Sequence, residues 1–181
     1  KKTLKYAKSR GIDESMLWRF RIGTCKFGRF RRRLIIPSFK DTGQLNYFVG
    51  RSVDSDSRIK YLNASVKKKH VIFNDIDIDW NSELVIVEGP LDLVKCSGNA
   101  TCLLGSHIDE NYDLFQKIIF HGTPIILALD ADVMPKTQKI AKLFYHWNVP
   151  VKIVTVAGNR DVGDLNHTEF INLMSSAVQW K

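Results

Sequence analysis

The chain has 181 residues, a formal net charge of +8, 44% hydrophobic residues and 25% charged residues. These values are typical of a globular protein that buries a core as one domain or two small ones, and no apolar run approaches the roughly 20 residues that a membrane span needs. The three cysteines, Cys25, Cys96 and Cys102, contain no CxxC pairing and are expected to form neither a zinc site nor an even disulfide framework. We therefore expect a cytoplasmic protein with no membrane partner.

The positive charge is concentrated in the first half of the chain. Residues 1–80 contain 19 Lys and Arg against 8 Asp and Glu, whereas residues 81–181 contain 8 against 11. A basic surface attracts the phosphates of nucleic acids or nucleotides through counterion release and steering; the alternative is a solvated surface without a partner. We predict two domains, a basic one over residues 1–81 and an acidic one over residues 82–181. Because the chain opens on Lys1-Lys2 without Met or a signal segment, we expect a segment of a longer protein.

The basic half is predicted to begin with helices and to continue with strands. Asp13 is a good N-cap for the second helix, and the turn residues Asp41-Thr42-Gly43 join two strands in a hairpin-like pair. Pro37 is expected to end the first of these strands. The predicted helices cover residues 1–9 and 14–20, and the predicted strands cover residues 34–36 and 45–49.

The second half alternates strands and helices, which indicates a parallel sheet with right-handed crossovers. Its strands are short, unalternating runs of apolar residues, typical of strands buried on both faces. The strands are predicted at residues 84–87, 101–104, 125–129 and 151–156. The helices are predicted around residues 91–96, 110–120, 137–147 and 167–177.

Carboxylates follow three of these strands. Glu88 comes directly after the first, and pairs of aspartates follow the later ones: Asp130 and Asp132, then Asp161 and Asp164. The carboxyl ends of parallel strands meet at one edge of the sheet, where such sheets bind ligands. Like charges gathered there repel, and a hard divalent cation with oxygen ligands relieves the repulsion. The alternative is a set of solvated acids at strand ends and helix starts.

These residues resemble the TOPRIM domain, which is shared by DnaG-type primases, topoisomerases and certain nucleases. Glu88-Gly89 and Asp130-x-Asp132 match its first two acidic motifs, and Leu104-Gly105 matches the strand and glycine between them. The segment from Asp161 to Asp164 resembles the final acidic motif, and which of its two aspartates is a ligand stays open. Asp92 is expected only to complete the turn or the helix start.

The first half resembles the N-terminal subdomain that precedes TOPRIM in DnaG-type primases. Five segments stand in the family's order: Arg10-Gly11-Ile12, Phe20-Arg21-Ile22-Gly23, Arg33-Leu34-Ile35-Ile36-Pro37, Gly50-Arg51 and Lys60-Tyr61-Leu62-Asn63. The resemblance implies an α/β protein in which a small basic α+β subdomain precedes a TOPRIM domain with a parallel, Rossmann-like sheet. It also implies the RNA-polymerase core of a primase from a phage or a divergent bacterium.

The resemblance implies DNA-templated RNA primer synthesis in DNA replication, by nucleotidyl transfer from ribonucleoside triphosphates with Mg²⁺ or Mn²⁺. Asp130, Asp132 and one of Asp161 or Asp164 are the expected metal ligands, and Glu88 is a ligand or a general base. Single-stranded DNA is the expected template. A replicative helicase is expected to bind through segments outside this chain.

Basic and polar residues of the motifs are expected to contact the substrates. The candidates for triphosphate or template contact are Arg33, Arg51, Lys60 and, after the aspartate pair, Lys136, because cationic side chains pair with phosphates. Asn63 is expected to fix its loop or to touch a sugar. The rival functions are a TOPRIM-type metal-dependent nuclease and a catalytically silent nucleic-acid-binding module; the chain is too short for a topoisomerase.

Overall fold

The N-terminal half forms an antiparallel sheet with two helices. The computed structural model describes residues 2–156 and 160–181. The sheet has the strand order β1-β2-β3-β4. The helices are α1 (Lys2–Ser9) and α2 (Glu14–Arg19), and the strands are β1 (Gly23–Thr24), β2 (Arg33–Phe39), β3 (Leu45–Ser52) and β4 (Tyr61–Asn63).

Local sequence signals account for most of this half. The Asp13 side chain accepts a hydrogen bond of 2.9 Å from the Met16 backbone and so caps α2 as predicted. The prediction that Pro37 ends the first strand was wrong, because β2 continues to Phe39. β1 pairs only with Leu34 and Ile35. Beyond that point β2 has an open edge, where the missing N–H of proline costs no ladder hydrogen bond.

The C-terminal half forms a five-stranded sheet in the order β6-β5-β7-β8-β9. Its strands are β5 (Leu84–Val87), β6 (Ala100–Cys102), β7 (Ile125–Ala128), β8 (Val151–Ile153) and β9 (Val178–Gln179). Its helices are α3 (Pro90–Lys95), α4 (Asp113–His121), α5 (Met134–His146) and α6 (His167–Ser175). The first four strands are parallel, as predicted, and β9 adds an antiparallel edge. Two residues without periodicity carried no signal for β9.

Each face of the parallel sheet buries a different core. On one face Val85 and Val87 of β5 lie in the same apolar cluster as Ala7, Ile36 and other residues of the N-terminal half. On the opposite face Leu84 and Ile86 join the cluster under α4 and α5. The N-terminal half therefore covers one face of the parallel sheet together with α3 and α6. The boundary at residues 81 and 82 stays a prediction, since the core crosses it.

A lysine also ties the two halves together. Lys117 of α4 bonds the buried Asp75 at 2.9 Å and the exposed Asp41 at 3.2 Å. Its ammonium lies 4.9 Å from the centre of the Trp80 ring. Among the helices in residues 2–156 and 160–181, none is long and apolar enough to cross a membrane.

Candidate functional site

The predicted carboxylates lie where expected, around the carboxyl edge of the parallel sheet. Glu88 follows β5 directly, Asp130 follows β7 after one buried leucine, and Asp161 begins a 3₁₀ turn, Val162–Asp164, beyond β8. Gly89 and Pro90 turn the chain from β5 into α3, with proline in the first turn, where its missing N–H is no loss.

A cleft of about 370 Å³ opens between this edge and the N-terminal half. Three predicted acids line it: Glu88, Asp130 and Asp161. Val49 of β3 and two residues of β4, Tyr61 and Asn63, also line it, so both halves of the chain form its walls.

Asp92 belongs to the carboxylate group, although the sequence predicted for it only a role in the turn or the helix start. It lies in the first turn of α3, lines the cleft, and accepts a 3.0 Å hydrogen bond from the Gly89 backbone through Oδ2. Burial, followed by repulsion from Asp130 and Asp161, raises the pKa of Asp92 to about 7. The spacing Glu88-Gly89-x-x-Asp92 was the signal in the sequence that could have marked Asp92. This spacing also suits a helix cap, and only the burial of the Asp92 side chain shows that it belongs to the site.

The other acids repel one another as well. Burial and then Glu88, Asp161, Asp132 and Asp164 raise the pKa of Asp130 to about 6. The pKa of Glu88 is raised by burial and by Asp132, with Lys136 opposing the shift. The carboxylates are therefore close enough to disfavour a fully ionised site without a counter-ion.

Gly163 permits the approach of two of these acids. A Cβ atom at Gly163 would lie 2.7 Å from Asp92 Oδ1, closer than real Cβ atoms approach, and 3.0 Å from Asp161 Oδ1, which is tighter than most Cβ contacts. The glycine therefore lets α3 pack against the 3₁₀ turn with a carboxylate oxygen of Asp92 and one of Asp161 close to it. No pattern in the sequence marked Gly163, because the contact joins residues about 70 positions apart.

The donor set fits a hard divalent cation, although the side chains do not surround one as they stand. Glu88 Oε2 and Asp161 Oδ1 are buried and have no hydrogen-bond partner among the described residues. Carboxylate oxygens are the ligands that Mg²⁺ and Mn²⁺ prefer, and these two have no hydrogen bond that an ion would have to replace. Over residues 2–156 and 160–181, no three His, Cys, Asp or Glu side chains meet closely enough to hold an ion. The carboxylates are therefore too far apart to enclose an ion, although they are near enough for repulsion to raise the pKa values of Asp92 and Asp130.

The remaining predicted acids lie outside the cleft lining. Asp132 is exposed in the 3₁₀ turn Ala131–Val133. Asp164 is exposed, and its Oδ2 accepts a 3.4 Å hydrogen bond from the backbone of Asp161. Of the two aspartates that the sequence left open, Asp161 is therefore the one that lines the cleft.

The predicted basic residues are dispersed. Arg33 is buried and donates to the backbone carbonyls of Gly50, Ile59 and Lys60 at 3.0 to 3.3 Å, which holds the start of β4 beside β3. Arg51 lies between two tyrosines: its Nε donates to Tyr6 at 3.1 Å, and its guanidinium is 4.6 Å from the Tyr61 ring centre. None of these contacts turns a guanidinium into the cleft.

Two further predicted cations point elsewhere. Lys60 is exposed and donates to the Ser55 carbonyl. Lys136 donates to the Ser106 hydroxyl at 2.9 Å and lines a separate pocket near Lys139.

Two cations that were not among the predicted site residues line the cleft instead. Arg10 and Lys68 both lie in its wall, and Lys68 Nζ donates to the Leu104 carbonyl at 2.6 Å. Asn63 is the predicted polar residue that the structure does bring to the acids, and its Oδ1 is buried without a partner among the described residues. Arg10 is the first residue of the motif Arg10-Gly11-Ile12, which was an available signal. Lys68 lies in a basic run, residues 67–70, in which no pattern distinguishes one lysine from the others.

The comparisons with known proteins all lead to primases. No family model matches the chain. It is 33% identical over 149 residues to a DNA primase of Deinococcus radiodurans, a match that spans 71% of this chain and 25% of that protein. It superimposes on the zinc-binding and RNA polymerase domains of Aquifex aeolicus primase with a TM-score of 0.81 at 21% identity, over 97% of this chain and 56% of that one.

A further match is a DnaG primase catalytic domain bound to single-stranded DNA, with a TM-score of 0.78 at 19% identity, over 97% of this chain and 71% of that one. The chain spans a third or less of the length of the curated primases that it matches. The predicted fold class is confirmed by these structures. The chain is therefore a sequence relative of bacterial DNA primases and has the fold of the DnaG catalytic core.

Proposed function

We propose that this chain catalyses DNA-templated synthesis of RNA primers from ribonucleoside triphosphates. The observation that carries the proposal is the cleft between the two halves. In one cavity it joins acids from three strand ends, Glu88, Asp130 and Asp161, to Asn63 of the primase-like half. Sequence relatives that are DNA primases support the same reaction.

The acids would hold a divalent cation, Mg²⁺ or Mn²⁺. When bound, such an ion neutralises charge on the transferring and leaving phosphates and activates the attacking hydroxyl. Asp92, Asp130 and Asp161 are the proposed first ligands, because they line the cleft and repel one another. Glu88 is proposed as a ligand or a general base, and Asp132 and Asp164 as outer ligands at the rim.

The cationic wall would bind the triphosphate. Arg10 and Lys68 line the same cleft as the acids and would pair with phosphate oxygens. Arg51, Lys60 and Lys136 lie farther out and are proposed for template or product phosphates. Arg33 is proposed as a structural residue, since backbone carbonyls already occupy its guanidinium.

Single-stranded DNA is the proposed template, which agrees with the DNA-bound catalytic domain of similar fold. The reaction would take place in the cytoplasm of a bacterium, or of the host if a phage encodes the protein. Contact with a replicative helicase is proposed through segments outside this chain.

The test is primer synthesis with purified components. The chain is incubated with Mg²⁺ or Mn²⁺, labelled ribonucleotides and mixed-sequence single-stranded DNA. Asp130→Asn and Asp161→Asn are compared with Glu110→Gln, an exposed acid outside the cleft lining. Short, template-dependent RNA from wild type and Glu110→Gln, with loss in both aspartate variants, is the expected result.

Other products would contradict the proposal in different ways. Cut DNA without RNA would assign the chain to the metal-dependent nucleases. DNA binding that neither metal nor the aspartate variants affect, with no RNA made, would leave a silent binding module.

A further inference from the structure

Lys95, the last residue of α3, contacts the turn that carries Arg10, one of the two cations in the cleft wall. Its Nζ atom donates a 2.8 Å hydrogen bond to the Gly11 carbonyl. Lys95 itself does not line the cleft, and none of the primase-like motifs includes it. The hydrogen bond therefore joins a residue outside the site to the backbone next to a site cation.

The turn between α1 and α2 holds that carbonyl in a defined position. α1 ends in a Schellman motif, in which the Ile12 backbone donates to the Ala7 carbonyl at 2.9 Å. The Gly11 backbone completes the motif with a 2.9 Å hydrogen bond to the Lys8 carbonyl. Gly11 has φ +64, which favours glycine, and a Cβ atom there would lie 2.5 Å from Lys95 Nζ. Any larger residue at this position would displace the ammonium group.

Arg10 lies between two cavities. It lines the cleft, and it also lines a second cavity of about 470 Å³. Its Nη2 atom would lie 3.7 Å from a Cβ atom at Gly163, the position that oxygens of Asp92 and Asp161 also approach. The guanidinium therefore reaches the edge of the carboxylate group. Arg10 forms no ion pair with a described residue, so no such contact fixes the guanidinium there.

The second cavity contains acids that would otherwise attract Arg10. Asp13 and Asp164 line it together with Lys95. Burial and then repulsion from Arg10 lower the pKa of Lys95, whereas the two acids oppose the shift, so these charges lie near the ammonium. The ammonium offsets the acids and repels the guanidinium. Both effects favour conformations in which the Arg10 guanidinium lies toward the cleft.

A neighbouring arginine makes a similar link between the same parts of the chain. Arg19 of α2 donates to the Cys96 carbonyl at 3.1 Å and to the Gly98 carbonyl at 2.8 Å, just beyond the end of α3. Arg19 lines neither of the two cavities. We therefore expect it to stabilise the packing of α2 on α3 without acting on Arg10, which makes it a matched control.

We propose that Lys95 is a positioning residue, which holds the Arg10 turn by its hydrogen bond and directs the Arg10 guanidinium to the cleft by its charge. Arg10 is then in place before a nucleotide binds, so little binding energy is lost in ordering it. The inference rests on the proposed function, because a triphosphate is the ligand that Arg10 is proposed to bind. It adds a residue from outside the cleft to those that set nucleotide affinity.

The experiment measures binding of ATP in the presence of Mn²⁺ by titration calorimetry, at a temperature where every variant is folded. Lys95→Met should weaken binding about tenfold, the loss expected when one charge-assisted hydrogen bond to phosphate is misplaced. Lys95→Arg keeps a donor and the charge, and it should restore most of the affinity. Arg19→Met should lower the melting temperature but leave the affinity close to that of wild type.

Arg10→Met separates positioning from direct binding. In that background Lys95→Met should cause no further loss of affinity, because no guanidinium remains to be positioned. If Lys95 bound phosphate itself, or acted only by stabilising the fold, its substitution would weaken binding equally in both backgrounds.

Three outcomes would overturn the inference. They are an affinity of Lys95→Met equal to that of wild type, an equal loss in Arg19→Met, and an additive loss in Arg10→Met/Lys95→Met. Primer synthesis by wild type is measured separately, so RNA production together with any of these results would reject the positioning role and preserve the proposed function. A wild type that neither binds ATP nor makes RNA would reject both.

Discussion

At the scale of single residues, Asp92 shows how burial changes what a carboxylate does. As the third residue of α3 it caps the helix start, and many helices have an acid there for this reason alone. Here the same side chain is packed among other acids, and its pKa is raised to about 7 by burial and by Asp130 and Asp161. An ordinary cap residue has become a group whose charge is costly without a counter-ion.

The first prediction concerns the pH dependence of Asp92→Asn. The raised pKa means that the folded state binds more protons than the unfolded state between about pH 4 and 7, so metal-free wild type loses stability as the pH rises through that range. The asparagine removes this loss and can still cap the helix. Without metal, the melting temperature of Asp92→Asn should therefore exceed that of wild type at pH 8, with a smaller difference at pH 5.

Addition of Mn²⁺ at pH 8 should reverse this order, because binding stabilises only the protein with the intact acid. The control is Asp77→Asn, a change at an exposed acid. Its melting temperature should follow that of wild type both without metal and with Mn²⁺. A difference between Asp92→Asn and wild type that does not vary with pH would contradict the assignment.

Gly163→Ala gives a second prediction at this scale. The added methyl group must displace Asp92, Asp161 or the turn itself. We expect about a tenfold loss of Mn²⁺ affinity in calorimetry, on the order of 1.4 kcal/mol. Gly23→Ala is the control, since a Cβ there meets nothing within 4 Å. Equal metal affinities of the two variants would show that the close approach has no role in binding.

At the scale of secondary-structure elements, Arg33 illustrates a motif residue whose role is structural. The motif places it before a strand, where a phosphate contact was expected. In the fold its guanidinium donates to three carbonyls and joins the start of β4 to β3. Backbone carbonyls that lose such donors inside a protein are left unsatisfied.

Arg33→Met should therefore lower the free energy of unfolding by about 2 kcal/mol, measured by urea denaturation. At a temperature where the variant remains folded, its affinity for nucleotide should be close to that of wild type. Exposed Arg58→Met is the matched control and should change stability little. If Arg33→Met were as stable as wild type but had lost nucleotide binding, the result would support the phosphate contact that the sequence predicted for Arg33.

At the scale of the whole molecule, the two halves depend on each other. The face of β5 and β7 that carries Val85 and Ala128 is buried by residues from both halves. The cleft also has one wall from each half, so its shape depends on how the halves dock. Lys117 strengthens this docking through Asp75 and Asp41.

Lys117→Met tests the docking. The substitution leaves the buried Asp75 without its cation, which should cost about 2 kcal/mol of unfolding free energy. Lys117→Met/Asp75→Asn should recover part of the loss, because the unpaired charge is removed. Lys142→Met, on the exposed face of α5, is the control. Stability of Lys117→Met equal to that of the control would show that this contact does not hold the halves together.

The sequence by itself determined the parallel sheet and the acids at its edge. Apolar runs such as residues 84–87 and 125–129 are local signals, and parallel strands necessarily bring Glu88 and Asp130 to one end. The ordered motifs also sufficed to relate the chain to primases. Charge composition marked the N-terminal half as basic without locating its binding surfaces.

Only the tertiary structure decided which of these side chains share a cleft. It brought Asp92, Arg10 and Lys68 to the acids, directed Arg33 to backbone carbonyls, and placed Asp161 rather than Asp164 in the lining. Burial and the docking of the two halves arise from contacts between residues far apart in sequence. The motifs in the sequence identify candidate residues. Whether a candidate lines the cleft depends on its burial and its neighbours, which are set by tertiary packing and not by any local pattern.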